Sequence, residues 1–168
     1  MEAKVTSPVV KGLLIALILI IIGFVGRMTN LQYESWFAWL SYGILIAGII
    51  ISCIMFSNQM NHNVTFGNVF ANGFKTTAVV TCLTILFMVI LLMVMPQMKE
   101  EMIENARTQA AKGTATEEQI DQSMQIFSKM FWVFIIGGIL LAYLFMGCIA
   151  SLIGAAVAKK NPQPTNPF

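Results

Sequence analysis

The side chains able to do chemistry are few in this chain, and their spacing works against it. His62 is the single histidine, and no acidic residue lies near it in sequence. Cys53, Cys82 and Cys148 all sit inside apolar runs with no Cys-x-x-Cys pair, so they read as small hydrophobes in hydrocarbon. Zinc peptidases need clustered histidines and acids, which are absent. Serine hydrolysis needs a Ser–His pair. Ser41, Ser52 and Ser151 lie in apolar stretches whereas His62 lies in a polar loop, so these serines read as helix-contact residues. The expectation is a chain with no catalytic residue, no cofactor and no metal, and not an enzyme.

Proton relays and charge-driven antiporters keep ionisable groups inside the membrane. Here the apolar runs are free of Asp, Glu, Lys, Arg and His except for Lys11, near the start of the first. Buried charge is therefore not expected to carry the function. The net charge of +2 is too small and too dispersed for a nucleic-acid footprint.

The elements that must position these residues follow from composition. The 168 residues are 57% apolar and 11% charged, against about 25% charged in an average soluble domain. Mean hydropathy is +0.76. Four stretches, 8–26, 36–56, 76–95 and 130–158, are each long enough for a helix to cross hydrocarbon, which takes about 20 residues. The runs do not alternate in and out, which excludes a barrel. The fold class expected is all-α, a transmembrane four-helix bundle forming one membrane domain over 1–160. The first span reads as an uncleaved signal-anchor, because no small-x-small cleavage site follows it. An even span count puts both termini on one side, with Lys4, Lys11, Lys75, Lys159 and Lys160. Lysines flanking the first and last spans favour that side as cytoplasmic. Tyr33, Trp36, Phe37, Trp39 and Trp132 would form an aromatic belt at the opposite interface.

Residues 57–75 are rich in Asn and Ser at first, suggesting an irregular loop. His62 reads as a solvated loop residue, and Asn63-Val64-Thr65 as a glycosylation sequon of weak specificity. Thr65 suits a helix N-cap. After it Phe66, Phe70 and Phe74 recur every fourth residue. With Gly67, Gly73 and Lys75 they suggest a short interfacial helix lying flat before the third span. A re-entrant or binding helix is the alternative.

Residues 97–129 hold six of the eight acids. Met98, Met102, Ala106 and Ala110 form one stripe, and Ile120, Met124, Phe127 and Phe131 another. Gly113 suits a helix C′ position and Thr116 with Gln119 a capping box. These features predict an extramembrane antiparallel helical hairpin into which spans three and four continue, with a kink at Pro96. The tail 161–168, rich in Pro, is expected to be disordered.

The spans are rich in small residues at i, i+4. Gly147, Ser151 and Ala155 form one ridge of the fourth span, and Ala150, Gly154 and Ala158 the next. Gly43 with Ala47, Gly48 with Ser52, and Gly12 with Ala16 recur likewise in the second and first. Such ridges let backbones approach closely in lipid. They serve either internal packing or a face for a second copy. Thr77, Thr81 and Thr84 offer hydroxyls that bond back to the backbone or across to a neighbour.

Two stretches resemble a known family. Thr65-Phe66-Gly67-x-x-Phe70-x-x-Gly73-Phe74-Lys75 and Ser151-Leu152-Ile153-Gly154-Ala155-x-x-Ala158-Lys159-Lys160 are similar to stretches of the bacterial "domain of unknown function 4199" family. The plan of four spans, a charged helical loop and a short tail is similar too. The resemblance implies a small multi-pass protein of the bacterial inner membrane and supplies no catalytic residue. The function expected is that of a non-enzymatic interaction or assembly component. Its partners would be the lipid bilayer and a second copy or another membrane protein. The alternative is a small transporter or channel subunit working without intramembrane charge.

Overall fold

A computed structural model describes residues 5–31, 34–114 and 116–162, with the side chain of Ser35 outside that description. Expectations resting on Lys4, Tyr33 and the tail residues 163–168 lie outside the described residues. Six α-helices and no strand are present among the described residues: α1 Pro8–Met28, α2 Ser35–Gln59, α3 Phe66–Val94, α4 Gln97–Ala111, α5 Glu117–Lys129 and α6 Phe131–Val157. Pro8–Met28, Trp36–Gln59, Phe66–Val94 and Phe131–Val157 are long and apolar enough to cross a membrane, with mean hydropathies of 2.2 to 2.8. The protein is a membrane protein.

Contacts divide the chain into two units, Met1–Thr84 with Ala142–Phe168, and Ile85–Leu141. The first holds α1, α2, the start of α3 and the end of α6. Its core joins Ile15, Ala16 and Leu19 of α1, Leu45, Ile49 and Cys53 of α2, Val69 and Val80 of α3, Ala150 and Ala155 of α6, and Ala158 just after it. α1 begins well for physical reasons. Ser7 is its N-cap and accepts from Val10 N at 3.4 Å, and Pro8 pre-sets the helical φ at the first position.

α3 begins ten residues before the expected third span. The stretch expected to lie flat at the interface, Phe66–Lys75, is instead the opening of the spanning helix. Thr65 caps it, its Oγ1 accepting from Asn68 N at 3.3 Å. The reason lies in the inward stripe. Val69, Asn72, Gly73, Thr76, Thr77 and Val80 are buried at helical spacing with no change of phase, so nothing interrupts the helix. The three phenylalanines lie off this stripe. Phe66 and Phe74 stay exposed, while Phe70 is half-buried and stacks on Phe74 at 6.0 Å.

α2 likewise runs on through Ser57 and Asn58 to Gln59, shortening the loop. The chain then turns through Asn61 and His62, both left-handed, with φ of 51° and 63°.

The second unit holds the helical hairpin. Leu92, Met98 and Phe131 form its buried centre, flanked by Met102, Ile103 and Phe127. Both predicted stripes face inward. The capping box is present: Gln119 N donates to Thr116 Oγ1 at 3.4 Å and Thr116 N to Gln119 Oε1 at 3.1 Å. Two details differ from expectation. The arms do not continue spans three and four but are separate helices. Pro96, which has no N–H to donate, separates α3 from α4, and Met130 separates α5 from α6. Gly113 occupies C′ without a positive φ; the turn is closed by Gly113 N donating to Ala110 O at 3.1 Å.

Candidate functional site: the polar end of the first unit

Four chain segments meet where α1 and α3 begin and α2 and α6 end. Thr6 N donates to Gln59 Oε1 at 3.0 Å, and Gln59 Nε2 returns a bond to Thr6 Oγ1 at 2.9 Å. Asn161 N donates to His62 O at 2.7 Å, so the first tail residue is tied down instead of disordered. Ser57 Oγ donates to Lys159 O. A hydroxyl has one proton, so in the 3.2 Å contact with His62 Nδ1 Ser57 must accept. His62 is therefore protonated on Nδ1. It is a half-buried strut between α2 and the C-terminal segment, not a solvated loop residue.

The two motif stretches meet at this end. Lys160 Nζ closes α6 by donating to Ala155 O, Ala156 O and Ala158 O, and it lies 5.9 Å from the Phe66 ring centroid. Deeper in, a Cβ on Gly73 would stand 2.6 Å from Cys53 Sγ and 2.8 Å from Ser151 Oγ. One on Gly154 would stand 2.8 Å from Cys53 Cβ. A Cβ on Gly147 would collide with Thr77. Gly147, Ala150, Ser151, Gly154, Ala155 and Ala158 are all buried within their own unit. The small-residue face of α6 is thus filled by α2 and α3 of the same chain. Of the α3 candidates, Gly73 lies in this contact, Phe66 and Phe74 lie outside it, and Gly67 and Lys75 are exposed. Ser151 Oγ donates to Gly147 O at 2.6 Å, Thr77 to Gly73 O at 3.1 Å and Thr81 to Thr77 O at 2.9 Å. These hydroxyls serve the helix backbone.

Beside this packing lies a polar cluster that sequence reasoning missed. Lys11 and Asn72 are each 4% exposed. Lys11 Nζ donates to Ser52 O at 3.3 Å and lies 5.6 Å from the Phe56 ring centroid. Asn72 Nδ2 donates to Ser52 O and Ser52 Oγ, both at 3.4 Å. Thr76 Oγ1 donates to Asn72 O at 2.9 Å, so in the 3.1 Å contact between Ser52 and Thr76 the serine must donate. The bonds run in one closed direction, from Asn72 amide to Ser52 hydroxyl to Thr76 hydroxyl to Asn72 carbonyl. This leaves Asn72 Oδ1 buried and without a partner. A cleft of ≈ 330 Å³ opens here, lined by residues 5–8, Phe56, Asn68, Ala71, Asn72 and Lys75.

Lys11, the one charge within the bounds of an expected span, is buried. In the sequence it counts only among the lysines that flank the first span. The early start of α3 extends the bundle past it, and Gly12 lets α1 approach α3 to within van der Waals contact of Val79 and Thr76. The inward polar residues Asn72 and Thr76 were the available signal.

Within unit 2 the acids ride on the outer side of the hairpin. Glu100, Glu104, Glu117, Glu118 and Asp121 are exposed, and Arg107 pairs with Asp121. Lys99 Nζ lies 5.3 Å from the Phe131 ring centroid.

A family model described as "Protein of unknown function (DUF4199)" matches residues 11–160. No curated protein and no solved structure matches the chain.

Proposed function

The chain belongs to the DUF4199 family, and from that premise we propose that it is a non-enzymatic assembly component of a bacterial cytoplasmic membrane. Both termini face the cytoplasm in this reading. The observation that carries it is the hairpin. α4 and α5 are two helices with an apolar centre, α5 carrying a capping box, and their polar faces present five exposed acids. Such a surface lies in water and suits a basic partner surface. With the small-residue face of α6 filled internally, the hairpin is the stronger candidate for contact with a second copy or another membrane protein.

The test is photo-cross-linking in native membranes from a probe placed at Glu118, compared with the triple variant Glu117→Lys, Glu118→Lys, Asp121→Lys. A discrete cross-linked species that the triple variant loses is expected. A chain that stays monomeric, with no cross-linked partner from the hairpin, overturns the reading. Cysteine accessibility at Ser7 from the cytoplasmic side tests the orientation.

A transporter or channel subunit is the second reading, favoured by Lys11 and the polar ring at one end of the spans. Ion flux through reconstituted vesicles, abolished by Lys11→Met, is its expected signature.

A further inference from the structure

We propose that the cleft beside Asn72 binds a phosphate ester whose alcohol carries a hydrogen-bond donor, the chemistry of a phosphoglycerol head group. Three observations point there independently of the hairpin.

The first is charge. Lys11, Lys75, Lys159 and Lys160 gather at this end of the first unit, and the one described acid of that unit, Glu34, is the N-cap residue of α2, whose other end lies here. Lys75 lines the cleft and has no ion pair among the described residues. A buried ammonium such as that of Lys11 is costly without a counter-charge, and it stands against a carbonyl and a ring face. A cleft edged by an unpaired lysine, at an end of the unit rich in lysine, attracts anions.

The second is Asn72. Its amide nitrogen must face Ser52, because Ser52 O can only accept, so the unpartnered atom is the oxygen. An orphan buried acceptor calls for a donor. The ionised phosphate of an ester or diester has none to give. A phosphate bearing a glycerol hydroxyl offers both halves: oxygens for Lys75 and a hydroxyl for Asn72.

The third is the form of the cleft. At ≈ 330 Å³ it lies in the range of small-ligand pockets. It opens where α1 and α3 begin and α2 ends, at one end of the apolar helices, with Pro8 and Phe56 as its apolar walls. The ligand is either the head group of a phospholipid or a free glycerophosphate; both carry the same two groups.

The test uses the full chain in detergent and three probes: dioctanoyl phosphatidylglycerol, dioctanoyl phosphatidylcholine and glycerol 3-phosphate. Phosphatidylcholine keeps the phosphodiester and lacks the donor. Phosphatidylglycerol is expected to bind about tenfold tighter than phosphatidylcholine, the scale of one well-placed hydrogen bond to an otherwise unpaired group. Lys75→Gln and Ala71→Trp are expected each to weaken it by about tenfold or more. Both positions are exposed, so the fold is kept, and an unchanged thermal midpoint verifies that. Glycerol 3-phosphate displacing the lipid assigns the free ester as ligand; retention of the lipid against it assigns the head group. Equal binding of the two lipids, or affinity that neither variant changes, overturns the proposal and leaves ordinary solvating lipid.

Discussion

Single atoms decide much at the polar end. Ser57 has one proton and gives it to Lys159 O, which forces His62 to donate from Nδ1. Removing that hydroxyl unpairs two groups at once. Ser57→Ala is therefore expected to cost on the order of 1–3 kcal/mol locally. Its readout is faster amide exchange at residues 159–161, where Asn161 N is otherwise held by His62 O. Gly154 decides the approach of α6 to α2. A side chain there meets Cys53 Cβ at 2.8 Å and Ile50 Cα at 3.3 Å. Gly154→Leu should lower the thermal stability of the first unit by about 1–3 kcal/mol or more. Gly43, with nothing within 4 Å of its Cβ position, is the control. Gly43→Leu should change stability by less than about 0.5 kcal/mol. The sequence displays both glycines in the same small-xxx-small spacing. Which of them faces a neighbour depends on the rotation of each helix, a tertiary property.

At the scale of elements, the helix ends of the hairpin were legible because their chemistry is local. Thr116 and Gln119 form the capping box that their spacing predicts. Thr116→Ala should cost about 1 kcal/mol, read as increased exchange of the first α5 amides. Arg107→Ala, which removes the half-exposed pair with Asp121, should cost less than about 1 kcal/mol in the same measurement. A larger loss from Arg107 than from Thr116 would contradict the ranking of helix caps above exposed ion pairs. The start of α3 was less legible. Gly67, Asn68, Asn72 and Gly73 dilute the hydropathy that marks a span, and Lys75 looks like its boundary. Burial reverses this signal. Asn72 is satisfied at its nitrogen by Ser52, Gly73 fits against Cys53 and Ser151, and Lys75 stays exposed. Helix–helix packing in lipid favours small and polar residues at contacts, so the most buried part of a span need not be its most apolar part.

At the scale of the molecule, each of the two units has its own core. Phe131 is at the centre of the second, 1% exposed among Leu92, Met98 and Phe127. Phe131→Ala should destabilise that unit by about 3–5 kcal/mol. Amides 97–129 should lose protection while those of Ser52 to His62 keep theirs. Loss of protection in both together would show that the units fold as one.

The amino-acid sequence by itself determined the membrane class, the four spans and the hairpin with its caps. These follow from composition, periodicity and contacts three or four residues apart, which chain neighbours carry alone. Only the tertiary structure decided that the small face of α6 turns inward. It likewise made His62 a strut and buried Lys11 behind a ring of Asn72, Ser52 and Thr76. Each of those depends on how far one helix extends beside another. The early start of α3 set that extent, and it placed the lysine at the start of the first span inside the protein.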